Sequence, residues 1–249
     1  GYNGFYKCKP ESNTIIETLE IAIPDSPIRN FCEFMKFTND DKLIVAGGNI
    51  NYFGLPENDK KGTLMQYDIN NHKWFNFPEN KIKDITKLGY LNICSADEDP
   101  TEPGHIFASS FGHGLFEFRN GEFVQHYDFN NSALETAVNG NRNYVRVSYV
   151  TFDKDGNLWI INRGKDIVKV LKKNNEWISL NYKDIENKKV MVKPLFDSRG
   201  WLWITSLDNG AGLFCAKLKN TPFDASDDDS KTWFDRFTNQ DGTTYEIYQ

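Results

Sequence analysis

Apolar and polar positions alternate with a period of two along most of the chain. The clearest run is FDKDGNLWI at 152–160, where an Asp-rich turn separates Phe152 from the strand-forming trio Leu158, Trp159 and Ile160. Gly156 stands at the tip, where a tight turn needs a positive φ. A near copy, FDSRGWLWI, occupies 196–204, a looser one, FTNDDKLIV, 37–45, and a degenerate one with a longer turn, ADEDPTEPGHIFA, 96–108. The matched residues Leu43, Ile106, Leu158 and Leu202 are 63, 52 and 44 residues apart, which brackets a four-stranded propeller blade with variable loops.

Each copy is followed by a second signature: GTLMQYD (62–68), HGLFEFRNGEFVQHY (113–127), DIVKVLKKNNEWISL (166–180) and AGLFCAKL (211–218). Alternation across Leu115, Glu117, Gly121 and Phe123 predicts one face inward and one outward around an Asn-Gly turn. Each unit therefore reads as strand A, turn, strand B, loop, strand C, turn, strand D. Trp74-Phe75, Phe123, Trp177 and Trp233-Phe234 mark the fourth strands. The predicted fold is all-β, a β-propeller of four-stranded antiparallel blades at 29–81, 82–131, 132–184 and 185–237, with partial blades at 1–28 and 238–249. The first partial blade matches strands C and D; at the other end TTYEIYQ reads as a new strand A. Residues 131–140 (NSALETAVNG) are expected to connect blades rather than form a helix. Either the ends meet in a composite blade and close a five-bladed ring, or the chain is an arc of a larger, seven-bladed ring. The second is expected, because the composite blade would lack strand B and leave an exposed edge.

The 249 residues are 14% aromatic, which suits sheets stacked face to face around an axis. A net charge of -6 without a cationic stripe argues against nucleic acid as a partner. Lys172-Lys173 and Lys188-Lys189 read as solvated turn tips. Cys8, Cys32, Cys94 and Cys215 lack the spacing of a zinc site, and Cys32 and Cys94, in apolar runs, are expected to be buried. His72, His105, His113 and His126 are scattered. No apolar run approaches a membrane span. The chain opens on Gly1 within strand-like sequence and reads as a processed or excised piece of a longer polypeptide.

The repeated D-x-x-G-x-L-W-I followed by G-L resembles the two-component-regulator propeller repeat of extracellular sensor portions of hybrid histidine kinases in gut bacteria. The run from SSFGHGLFEFRNGEFVQHYDFNNSALE through RVSYVTFDKDGNLWI is similar to the propeller region of PorZ-type proteins, surface components of the type IX secretion apparatus in Bacteroidetes. The resemblance covers most of 30–249, most specifically 105–215. It implies a seven-bladed propeller with further domains after it, an extracytoplasmic location in the periplasm or at the cell surface, and a binding or assembly role without a catalytic site. The second copy of the repeat is weakened relative to that pattern.

At each marked residue a chemical role competes with a scaffold role. Asp153, Asp155 and Asn157 start like a calcium loop, yet the bidentate Glu of such loops is missing, so a turn is expected and no metal. Asp227, Asp228 and Asp229 read as a solvated loop. A lyase would be expected to place His and Glu just beyond the Trp-bearing strands, which instead continue as Ile161-Asn162 and Thr205-Ser206, and a sialidase needs converging arginines and a Tyr nucleophile. No catalytic residue and no cofactor are expected. Topology places A–B hairpins at one end of the ring and B–C loops with D–A connections at the other. The candidate binding residues at that second end are Tyr52, Phe53, Phe111, His113, Arg142, Tyr144, Arg163, Lys165, Asp208 and Asn209. Asn49, Asn51, Asn141 and Asn143 accompany them. The expected partner is an envelope protein or a surface glycan. The alternatives are a periplasmic oligosaccharide sensor of a hybrid two-component regulator and a propeller lyase or glycosidase.

Overall fold

The computed structural model describes residues 5–12, 16–22, 24–48, 60–79, 85–186, 188–207, 212–219, 223–233 and 236–246. Apart from one 3-10 turn at Ile85–Leu88, the regular elements among the described residues are strands. Strands β1 (Phe5–Pro10) and β2 (Ile16–Ala22) form a hairpin. An antiparallel sheet comes next, in the order β3 (Phe34–Phe37), β4 (Lys42–Ala46), β5 (Thr63–Asp68) and β6 (Lys73–Pro78). The second sheet holds β7 (Ile93–Glu98), β8 (His105–Gly112), β9 (Gly114–Arg119) and β10 (Glu122–Tyr127). The third holds β11 (Val145–Phe152), β12 (Leu158–Asn162), β13 (Val168–Leu171) and β14 (Trp177–Leu180). The fourth runs β15 (Met191–Phe196), β16 (Leu202–Ser206), β17 (Gly212–Lys217) and β18 (Asp229–Trp233), and a short hairpin β19 (Arg236–Thr238) and β20 (Thr244–Glu246) comes last.

The apolar cores lie between sheets, which is what makes this a β-propeller. Ile44, Ala46 and Leu64 of the first sheet pack on Ile93, Ile106 and Phe116 of the second. Phe107, Leu115 and Tyr127 of the second meet Val147, Val150 and Ile160 of the third, and Trp159 and Val170 meet Leu202, Ile204 and Phe214 of the fourth. Large flat side chains fill this space because it widens outward. Trp159 is buried edge-on against Phe196, with ring centroids 5.1 Å apart.

Towards the axis the first strands are joined by polar contacts. The Asp97 carboxylate accepts from Phe152 N (2.7 Å) and Lys36 Nζ (2.6 Å), Ser95 Oγ accepts from Val150 N (3.0 Å), and Ser148 Oγ donates to Met191 O (2.5 Å). The second and third sheets go further and pair directly, Val145 with Gly112 and Arg146 with Phe111.

The repeated hairpin is explained by one hydrogen-bond pattern. Asp153 Oδ1 accepts from Asp155 N and Asn157 N (3.0 and 2.9 Å), and its Oδ2 accepts from the Trp159 indole (3.0 Å). Asp197 repeats this with Arg199 N (2.8 Å), Trp201 N (3.1 Å) and the Trp203 indole (3.1 Å). Gly156 and Gly200 supply φ of 83° and 77°. Thr38 substitutes a hydroxyl, accepting from Lys42 N at 3.1 Å. The same turn recurs at Asn239, which accepts from Thr243 N at 2.9 Å and has Gly242 at its tip, a copy not picked out in the sequence. So Thr244–Glu246 is the second strand of a hairpin and not a first strand.

Two further expectations need correction. The expected inward and outward faces do not alternate in β9: Leu115, Phe116, Glu117 and Phe118 are all buried, because this third strand lies between neighbouring sheets. Cys32 is exposed, since the strand begins only at Phe34; Cys94 is buried, and burial pushes its thiol up to about 12. All four cysteines are free. Residues 131–140 form the expected connection without a helix.

Candidate functional site

The end of the molecule carrying B–C loops and D–A connections is built around Asn162, the last residue of β12. Its fully buried amide donates to Glu135 O (3.1 Å) and Arg146 O (2.9 Å) and accepts from Glu135 N (2.7 Å). Glu135, from the connection before β11, then accepts from Lys165 N (2.6 Å), Asp166 N (3.2 Å) and the buried Lys169 ammonium. Burial alone would push the Glu135 carboxyl up. The Lys169 ammonium and the two amides outweigh it and hold the group below its ordinary value. Gly164 lets the loop approach: a Cβ there would lie 2.6 Å from Glu135 Cβ. The loop after β12 is thereby fixed, and Arg163 with it.

Arg146 is the residue the sequence reading missed. It is buried on the first strand of its sheet, its guanidinium 4.8 Å from the Phe111 ring centroid and 4.9 Å from that of Tyr144, with Nε donating to Tyr144 Oη at 2.9 Å. A narrow cleft opens beside it, walled by Phe111, Arg146, Arg163, Lys188 and Lys189. Lys188 is half-buried and Lys189 exposed, so this turn is solvated as expected and also borders the cleft. The only sequence signal of the cleft was an arginine at a core position of an alternating strand, RVSYVTF.

Of the candidate residues, Phe111, Tyr144 and Arg163 come together around Arg146. His113 is held elsewhere in its turn: its N donates to Ser110 Oγ (3.2 Å) and its O accepts from His126 Nε2 (2.6 Å). Arg142 is exposed and lies over Phe129 at 5.6 Å, and the Lys165 side chain is exposed; neither borders the cleft. Tyr52, Phe53, Asp208 and Asn209, with Asn49 and Asn51, lie outside the described residues. Among the described residues lining the cleft there is no carboxylate or imidazole that could serve as general acid or base.

A second groove, about 590 Å³, runs along the outer rim between the third and fourth sheets and is lined by Tyr182, Asp184, Phe223 and Ser230. Here the acidic run is not simply solvated. Asp228 is half-buried and accepts from Tyr182 Oη at 2.6 Å, and burial pushes its carboxyl above the ordinary value. No helix among the described residues is long and apolar enough to cross a membrane.

No family profile and no curated protein matches the chain. Solved structures do. The chain is 24% identical to PorZ, an essential bacterial surface component of the type IX secretion system of Porphyromonas gingivalis, over 92% of this chain and 30% of that one, with a TM-score of 0.76. The extracellular domain of BT4673 from B. thetaiotaomicron, assigned as a hybrid two-component system, is 16% identical over 88% of this chain and 27% of that one, with a TM-score of 0.55. Virginiamycin B lyase from Staphylococcus aureus is 9% identical over 89% and 60%, with a TM-score of 0.52. The chain thus spans about a third or less of the first two structures. At these identities the likeness is one of fold, and the resemblance noted in the sequence holds at that level: the chain is a β-propeller similar to the propeller regions of PorZ and of hybrid two-component sensors.

Proposed function

We propose that the chain is a non-enzymatic, extracytoplasmic β-propeller module, PorZ-like in role, whose B–C and D–A end binds an envelope protein or a surface glycan. The observation that supports this is the cluster of Arg146, Arg163, Lys188 and Lys189, drawn from a strand and two separate connections into one cleft of a chain whose net charge is -6. Cations gathered against the overall charge favour an acidic group on the partner. The cleft itself, about 10 Å³, holds little more than one water, so the contact lies on the rim formed by Arg163, Lys188 and Lys189. Location outside the cytoplasm is supported by the PorZ and sensor likenesses. The sensor reading differs only in the domain attached beyond the propeller: a kinase there would make the same end a ligand detector. The repeat spacing supports the blade limits.

The test is a screen of acidic and neutral glycans and envelope extracts against the chain and its Arg163→Glu and Lys189→Glu variants. Binding should weaken at least about tenfold in each variant and fall with added salt. Undiminished binding in both variants would place the contact surface elsewhere, and turnover of any glycan would overturn the non-enzymatic reading.

A further inference from the structure

The opposite end of the molecule holds a second constellation, in the degenerate hairpin between β7 and β8. Its turn, DPTEPGH, is longer than its counterparts, and the residues that make it longer bring Asp99, Glu102 and His105 together. One ligand-type atom from each lies within 4.8 Å of the others.

Acidic clusters are common, but this one faces a buried nitrogen with nothing to bond. The His105 side chain is only 9% exposed, and its Nδ1 makes no hydrogen bond. Its other nitrogen, Nε2, lies 2.9 Å from Glu117 Oε1. Ionised Glu117 can only accept, so Nε2–H donates to it and Nδ1 is the ring nitrogen left facing outward. It points at Glu102 Oε2, 3.3 Å away, and Asp99 Oδ2, 3.7 Å away. Two carboxylate oxygens converging on a buried ring nitrogen call for a positive charge among them, either a bound cation or a proton on Nδ1.

The rest of each carboxylate is already engaged. Asp99 Oδ1 accepts from Thr101 N and Thr101 Oγ1, both at 2.7 Å, and Glu102 Oε1 accepts from Arg119. Each acid therefore turns one oxygen to the protein and one to His105. Glu117 behind the ring is itself fixed by Tyr127 Oη at 2.7 Å and Arg119 Nε at 3.2 Å. A carboxylate bonded to the far nitrogen of a histidine is the arrangement that orients metal-binding imidazoles. Tetrahedral zinc with bonds of about 2.0 Å needs ligand atoms about 3.3 Å apart, close to the 3.3 and 3.7 Å from His105 Nδ1 to the two acids.

We propose that Asp99, Glu102 and His105 form a site for one divalent cation of zinc-like chemistry, completed by solvent. The imidazole nitrogen argues against calcium and magnesium, which take oxygen ligands. The site would pin the long hairpin to β8 and β9 at the seam with the third sheet, where Lys173 Nζ donates to Thr101 Oγ1 at 2.8 Å. Nothing in the proposal depends on the loop-end binding role.

The experiment titrates Zn²⁺, Ca²⁺ and Mg²⁺ separately into chelator-stripped protein by calorimetry. A Cys8→Ser, Cys32→Ser background is used because both thiols are exposed. Zn²⁺ should bind one per chain and raise the thermal midpoint, and the other two cations should do neither. Glu102→Gln, at a half-exposed side chain, should weaken Zn²⁺ binding at least about tenfold. In the imidazole ¹H–¹⁵N spectrum of the unsubstituted site, Zn²⁺ should shift His105 Nδ1 and leave His72, His113 and His126 in place. Absence of saturable Zn²⁺ binding, equal binding in Glu102→Gln, or a His105 Nδ1 that carries a proton and ignores Zn²⁺ would each overturn the proposal.

Discussion

At the hairpin end, Asp153 and Asp197 direct both carboxylate oxygens to their own turn and to an indole six residues on. At the loop end, Arg146, Arg163, Lys188 and Lys189 come from distant parts of the chain and wall a shared cleft. The first arrangement recurs in the third and fourth sheets; the second, among the described residues, joins one strand and two connections at a single place. A residue that must repeat for the fold to repeat has its hydrogen-bonding capacity consumed locally, which leaves it poor material for recognition. Residues outside the repeat are under no such demand, and chemistry can collect there. The second hairpin obeys the same logic: where the repeat lapses, at Asp99, Glu102 and His105, uncommitted ligand atoms reappear.

The contrast can be broken by substitution. Trp159→Ala should have the largest effect, about 3–5 kcal/mol of stability read from a urea midpoint, because it empties a fully buried site between two sheets. A loss below about 1 kcal/mol would mean the indole is not the element spanning the gap. Asp153→Ala should cost less, about 1–3 kcal/mol, by leaving the Trp159 indole and the turn amides without their acceptor. Asp153→Asn, which keeps an acceptor, should recover part of that loss.

Acid should next separate the ends by their partners. Glu135 has a folded-state value below its ordinary 4.5, so its contribution to stability is complete above about 4.5 and is lost as pH falls through the depressed folded value. A Glu135→Gln variant should therefore show a shallower decline in stability below pH 4.5 than the parent, read by thermal melts across pH; parallel curves would show that the Lys169 pair does not couple to folding. The smallest effect on stability is expected for Arg163→Glu and Lys189→Glu, within about 0.5 kcal/mol, since neither side chain is buried. That pairing of unchanged stability with weakened binding is the mirror image of the Trp159 result.

The hairpins were legible in the sequence because their hydrogen bonds close within six residues, so spacing alone carried the geometry. Copies that keep an Asp and a Gly were found; the one that uses Asn239 was not, because its strand lacks the Leu-Trp-Ile signature. The loop-end cluster was only half visible. Phe111 and Arg163 were named from topology, but Arg146 and Lys188-Lys189 needed the fold to bring them together. Cys32 and the two faces of β9 departed from expectation for a related reason: apolar neighbours and alternation report the strand's own pattern, and burial here is decided by the adjoining sheet.

The short seam between β8 and β11 has a consequence for how force and fluctuation travel. Because Arg146 pairs with Phe111 across it, the second and third sheets share one backbone ladder. The two are expected to open together in hydrogen exchange, as a backbone ladder shared between sheets favours. The wall of the cleft is part of that ladder, so a partner engaging Arg163, Lys188 and Lys189 at its rim rests on backbone tied to both sheets.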